Sequence, residues 1–217
     1  MAVREMDELV QNGLDRALEI MALAAHNSFR FESRNTIKML VADKEEMEAI
    51  AEFCFSLADM SPLSARDGRH VMELIKEPCA LLLIGDSRKS PYNYNCGACG
   101  FRTCAELNRA EETDSLLAIG PSCQFKNINI NIAANAAAYM AWRLGLYCRV
   151  FSTLAFAAKA LGIIDTDLVV CVSVSAAKKD PYFDRHQFWT DEYWDEVFEN
   201  EFPTFTRGFI GAVEKED

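Results

Sequence analysis

Between Asn95 and Asn129 the chain reads N-C-G-A-C-G-F-R-T-C and then, eighteen residues on, G-P-S-C. Cys96, Cys99, Cys104 and Cys123 therefore gather half of the eight cysteines into one stretch. Gly97 and Gly100 each follow a cysteine directly. Glycine admits positive φ, lets backbone N–H groups turn inward toward a sulfur-rich anion, and leaves room where a Cβ would clash. Four thiolates clustered in this way are the ligand set of one [4Fe–4S] cluster.

Ligand order separates this spacing from its rivals. Bacterial ferredoxins read C-x2-C-x2-C-x3-C-P and plant-type ones C-x4-C-x2-C, whereas this chain has C-x2-C-x4-C. A structural zinc site normally brings two close cysteine pairs, and Cys104 and Cys123 lie too far apart in sequence to form the second. Zinc and a set of free thiols stay open as alternatives to the cluster. Chain length allows Cys123 to return. A helix over 101–112 would carry the chain only about 12 Å beyond Cys104, and residues 113–122 span up to about 33 Å when extended. Pro121 and Ser122 read as a helix start, placing the Cys123 sulfur where a helix dipole favours negative charge.

Composition bounds the class. A chain of 217 residues, 50% hydrophobic and 25% charged, suits a single globular domain over 1–217 with a sizeable core. No secretory signal opens it, and its best apolar run, Ala80 to Ile84, is too short to span a bilayer. A soluble, cytoplasmic protein is expected, in which cysteines serve as metal ligands or buried thiols rather than disulfides. Cys54, Cys79, Cys148 and Cys171 sit in apolar segments and read as core. The net charge of −11 argues against nucleic acid. It permits a basic redox partner protein, or is simply a solvated surface.

Helices and strands alternate along the chain. Apolar spacing predicts a helix from Glu5 to Ala25, a strand over Thr36 to Ala42, and a helix from Asp43 to Leu57 with Asp43 as its N-cap. Residues 60–67 read as a loop and 70–76 as helix. Ala80 to Gly85 reads as a buried strand. After Cys123, Asn and Ile alternate as in a strand, but the alanines that follow favour a long helix stopped at Gly145. Something must pack closely on those alanines, either another helix or a second subunit. Tyr147 to Phe151 reads as a strand, Ser152 to Leu161 as a helix ended by Gly162, and Asp167 to Ser175 as a strand. Residues 186–217 read as an acidic extension with an amphipathic helix over Thr190 to Glu201. His26, His70 and His186 are scattered and read as isolated groups. The class expected is α+β: a small mixed or antiparallel sheet covered by helices, with the cysteine segment 95–124 inserted.

The motifs C-G-A-C-G-F-x-x-C and G-P-S-C-x-F-K, with A-A-K-A-L-G-I-I-D-x-D-x-V and K-K-D-P-Y-F-D-R, resemble the uncharacterised ferredoxin-domain-containing proteins of bacteria and archaea. The likeness runs from about Asp15 to Arg185. The cysteine spacing is also similar to iron–sulfur segments of corrinoid iron–sulfur proteins and of membrane electron-transport B subunits. The similarity in cysteine spacing implies a [4Fe–4S] cluster, while the family itself supplies no reaction; the first functional reading is a cluster-carrying electron-transfer or redox protein. A weaker resemblance is to the nitroreductase fold, through the Ala-rich helix ending in Leu144-Gly145-Leu146 and the strand, helix and strand that follow. That fold implies a homodimer and FMN, its phosphate held by a basic turn after the first helix and by a late basic loop. Here those regions carry Arg30 and Arg34, and Lys178 and Lys179, although the spacing of the nitroreductase turn is not reproduced. The alternatives to simple electron transfer are thus a flavin-dependent reductase with the cluster as relay, and a metal or cluster that only staples the loop.

Overall fold

The two most apolar runs of the chain pair with each other at the centre of one sheet. The computed structural model describes residues 5–31, 36–114 and 119–183. Its elements are α1 (Met6–His26), β1 (Lys38–Ala42), α2 (Lys44–Ser56), α3 (Pro62–Leu74), β2 (Cys79–Asp86), α4 (Cys104–Arg109), β3 (Thr113–Asp114), β4 (Ile119–Gly120), α5 (Gln124–Arg143), β5 (Tyr147–Phe151), α6 (Thr153–Ala160) and β6 (Leu168–Ser175). The main sheet has the order β1-β2-β6-β5, every pairing antiparallel. All four strands are those predicted from sequence. The class is α+β.

Helices cover both faces of the sheet, so its middle strands are apolar on both sides and lose the usual alternation. Leu81 and Leu83 of β2 point into a core made with α2, α3, α6 and Tyr182. Ala80, Leu82 and Ile84 point into a second core made with α1 and α5. On that second side Ala133, Ala134, Ala137 and Ala141 of α5 are fully buried beside Leu14, Leu18 and Met21 of α1 and the valines of β6. The alanines therefore let α5 close onto α1 and the sheet within a single chain.

Local signals set most helix ends. The Asp43 carboxylate accepts from the Glu46 amide at 2.9 Å, and the Glu46 carboxylate accepts from the Asp43 amide at the same distance, a reciprocal cap on α2. At the end of α5, the Leu146 amide donates to Ala141 and the Gly145 amide to Trp142, with Gly145 at φ +80°. Gly162 closes α6 by the same pattern.

Two expectations need correction. Residues 62–67, expected as loop, form the first turns of α3, capped by Ser61 with Pro62 at the start. Gly68, a weak helix former, masks this helix in sequence. A Cβ there would lie 2.8 Å from the Ala51 carbonyl oxygen and 3.0 Å from the Cys54 Cβ, so its bareness lets α3 close on α2. The helix expected over 101–112 is only the short α4. Ala110 turns to extended backbone and the chain enters the β3–β4 hairpin. The extension 186–217, with His186 and the predicted helix 190–201, lies outside the described residues.

Candidate metal centre

At Asp86 the chain leaves the sheet with charge still buried. The Lys126 ammonium of α5 sits 3.0 Å from the Asp86 carboxylate, both side chains about 2% exposed, and the Thr36 hydroxyl donates to Asp86 at 3.0 Å. Two residues on, Arg88 is 1% exposed. Its guanidinium donates to Glu112 at 2.7 Å, to the Pro121 carbonyl at 3.0 Å and to the Ala110 carbonyl at 3.3 Å. The Arg88 carbonyl in turn accepts from the Cys123 amide at 2.9 Å. Arg88 thus ties the end of β2 to both flanks of the hairpin and to the fourth cysteine. The planar fork of arginine suits such divergent acceptors. Arg88, Asp86 and Lys126 had no role in the sequence reading. Charged residues in a polar loop or on a helix read as solvated until tertiary structure buries them.

This tie brings the four cysteines to one cavity. Cys96, Cys99, Cys104 and Cys123 all line it, together with Ser90, Asn95, Gly97, Thr103, Leu107 and the rings of Tyr94, Phe101 and Phe125. Cys96 is exposed, Cys99 half-buried, and Cys104 and Cys123 are buried. Local structure explains each placement. Thr103 caps α4 reciprocally with Glu106 and sets Cys104 as its first residue. Cys123 is the N-cap of the twenty-residue α5, at the positive end of the helix as expected. Gly97 and Gly100 have φ of +74° and +88°, and the Gly100 amide donates to the Gly97 carbonyl. One detail differs: added Cβ atoms would meet nothing closer than 3.9 Å, so backbone conformation, not crowding, selects these glycines.

The Cys104 sulfur is the best supported. The buried Ser90 hydroxyl donates to it at 3.5 Å and the Asn95 amide at 3.4 Å. The Asn95 side chain accepts from the Cys104 amide at 2.9 Å, from a left-handed backbone that asparagine tolerates. Ser90 is fixed by a two-way bond with Asn108, at 2.8 Å each way. The Ser90 hydrogen bond, followed by backbone amides near Asn95, holds the Cys104 thiol below its ordinary pKa against the opposing effect of burial. An aromatic group of Phe31, Tyr92, Tyr94 and Phe125 packs beside the cavity, with Phe31 and Phe125 centroids 4.8 Å apart. An apolar wall of this kind limits water at a metal site.

The donor set fits an iron–sulfur cluster: four unpaired cysteines, inward N–H and O–H donors, and no disulfide. Among the described residues, no three His, Cys, Asp or Glu groups stand close enough together to hold a single metal ion. A mononuclear zinc needs sulfurs drawn in around bonds of about 2.3 Å.

The residues expected to hold a flavin phosphate are not brought together within the chain. Arg30 folds back on the end of α1, donating to the carbonyls of His26 and Ser28. The adjacent Phe31 packs against Phe125 with its ring tilted by 47°, so Arg30 lies at the cysteine end of the sheet. Lys178 and Lys179 follow Ser175, which pairs with Cys79 at the other end of β2, roughly 23 Å from Asp86. Arg34 lies outside the described residues.

Known proteins supply the family. Residues 119–185 match the family described as uncharacterised proteins containing a ferredoxin domain. An uncharacterised protein of Archaeoglobus fulgidus is 35% identical over 173 residues, covering 80% of this chain and 92% of that one. The chain belongs to this ferredoxin-domain family. Membership implies an iron–sulfur group as the kind of cofactor held. No solved structure matches the chain, and no helix among the described residues is long and apolar enough to cross a membrane.

Proposed function

We propose that the protein binds one [4Fe–4S] cluster through Cys96, Cys99, Cys104 and Cys123 and serves as a one-electron carrier. The observation that supports this most directly is that four cysteines, dispersed over 28 positions of sequence, line a single cavity into which hydrogen-bond donors point. When bound, such a cluster accepts and returns single electrons. The protein's part is to set the potential and to control access. Ser90 and the Asn95 amide place positive hydrogen-bond density on the Cys104 sulfur, which favours the more negative, reduced state. Phe125 and Tyr94 keep one side apolar, while the exposed Cys96 leaves the other open to a partner.

Anaerobic purification with iron, sulfide and zinc analysis tests the proposal. About four iron and four sulfide per chain, with a paramagnetic signal after reduction, is the expected result. Zinc in place of iron, or iron without sulfide, would end it. A flavin-dependent reductase would need a phosphate site, and within one chain Arg30 and the Lys178–Lys179 pair lie at opposite ends of the sheet. Extractable flavin fluorescence in the same preparation would revive that reading.

A further inference from the structure

At the end of the sheet away from the cysteines, the α5–β5 hairpin combines exposed apolar groups with positive charge. Between Lys126 and Lys159 there is no carboxylate, and the only charges are Arg143 and Arg149, in a chain of net −11. Tyr139, Trp142 and Leu144 at the end of α5, and Tyr147 and Val150 on β5, are exposed. These groups adjoin. The Tyr139 and Trp142 rings lie 6.0 Å apart, and the Cys148 thiol of β5 reaches the Ala138 carbonyl of α5 at 3.3 Å. β5 is also an edge strand, paired within the sheet on one side only. An apolar patch along an open strand edge is a surface suited to a covering segment.

The described residues end at Phe183, against this same edge. Phe183 is 71% exposed, and its ring lies 5.6 Å from the Arg149 guanidinium, which also sits 5.0 Å from the Phe151 ring. No ion pair among the described residues involves Arg143 or Arg149. Two carboxylates come near from other elements, and both are engaged. Asp67 is held by Arg66 at 2.8 Å and by the Thr153 hydroxyl at 2.7 Å, while Asp180 accepts from the Tyr182 and Phe183 amides. Beyond Phe183 the sequence turns aromatic and acidic. Residues 188–202 carry Phe188, Trp189, Tyr193, Trp194, Phe198 and Phe202, with six carboxylates and no basic residue.

We infer that residues 188–202 pack over β5 and the end of α5 of their own chain, aromatic side chains on Trp142, Tyr147 and Val150 and carboxylates beside Arg143 and Arg149. Reach permits it. The step from Phe183 to Phe188 spans up to about 17 Å, and the five residues of β5 run about 13 Å. Charge selects this edge over the other one. The outer strand β1 also exposes Leu40 and Val41, but it runs straight into Asp43, Glu45 and Glu46, which would repel an acidic segment. Aromatic residues and arginine are the groups that most often anchor a buried contact. The inference is independent of the cluster, which belongs to the opposite end of the sheet.

Hydrogen exchange of the full chain, read by mass spectrometry beside a synthetic peptide of residues 188–202, tests the inference. Amides of the segment should exchange about tenfold more slowly in the chain than in the peptide. Trp142→Ala with Arg143→Glu, both at exposed positions, should remove most of that protection while β2 and β6 stay as protected as in the parent. Trp194→Ala with Phe198→Ala, outside the described fold, should in turn raise exchange across residues 139–151 by about threefold. No protection of 188–202 in the parent overturns the inference. So does protection that persists in the folded Trp142, Arg143 variant, or unchanged exchange of 139–151 in the Trp194, Phe198 variant. Light scattering covers the remaining case: a dimer whose protection of 188–202 fades on dilution puts the segment on a second copy and overturns the inference as well.

Discussion

Four of the eight cysteines pack against the hydrophobic cores and four line a cavity, and the two groups differ in what surrounds the sulfur. Cys54 and Cys171 lie in the core on one face of the sheet, with Cys79 packed against it, and Cys148 packs against the core on the other face. Burial pushes the Cys54 thiol up to about 12 and the Cys79 thiol up to about 11, and raises Cys148 and Cys171 as well. Cys104 is also shielded from solvent but faces the cavity instead of packed side chains, and its thiol is shifted downward because Ser90 and nearby amides donate to it. Burial alone thus makes an inert, hydrophobic cysteine. Donors aimed at a sulfur on a cavity wall favour the thiolate that a metal requires.

The largest effect that could break this comparison comes from exchanging one member of each group. Cys123→Ala is expected to lose most of the iron, since three remaining thiolates leave one iron without a protein ligand. Cys171→Ala should keep its iron and lose about 1 kcal/mol of stability as a small cavity opens in the core. Iron analysis and urea denaturation read the two outcomes. Full iron in Cys123→Ala would remove that residue from the ligand set.

The next effect concerns what holds the ligand loop on the sheet. Asp86→Ala leaves the Lys126 charge buried without its partner and should cost about 3–5 kcal/mol, seen as a lower denaturation midpoint. Adding Lys126→Met should recover much of that loss. A single variant as stable as the parent would show that the buried pair does not hold α5 to the end of β2.

Thiol labelling sharpens the comparison further. In metal-free, folded protein at pH 8, a thiol raised to about 11 is thiolate only about one part in a thousand. Iodoacetamide should therefore modify Cys96, Cys99 and Cys104 well before Cys54 and Cys79, as mass spectrometry of peptides would report. The same shift affects stability. A thiol whose pKa is raised on folding stabilises the native state fully below its ordinary value of 9.0, and that contribution fades as pH rises toward about 12 for Cys54. Stability should fall above pH 9, and less steeply in Cys54→Ala. The smallest expected effect is at Gly100. A Cβ there meets no neighbour, so Gly100→Ala should cost about 1 kcal/mol for the positive φ alone, visible as weaker iron retention on mild heating.

Most of the architecture was legible because its signals are local. The run at 80–85 is apolar without alternation and 167–175 is rich in valine, as strands covered on both faces allow, and they became β2 and β6. Asp43, Gly145 and Gly162 mark helix ends through hydrogen bonds reaching no more than five residues. The first half of α3 was not legible, because Gly68 counts against a helix in sequence and earns its place only through contact with Ala51 and Cys54 on α2. The length of α4 was misjudged for a related reason: the β3–β4 hairpin that ends it is a pairing between segments.

By itself the sequence singled out the candidate ligands, since cysteines interleaved with glycines at C-x2-C-x4-C are a chemical pattern readable along the chain. It also allowed Gly97 and Gly100 the positive φ they take, at lower cost than a residue with a Cβ. Only the tertiary structure decided what supports those cysteines. Arg88 reaches residues 22 to 33 positions away, Lys126 pairs with Asp86 across 40, and Ser90 meets Cys104 across 14. Polar side chains that carry no distinguishing signal in sequence become a clamp, a buried ion pair or a sulfur donor according to what the fold packs over them. That packing is set by the sheet and its helices, not by the neighbours in sequence.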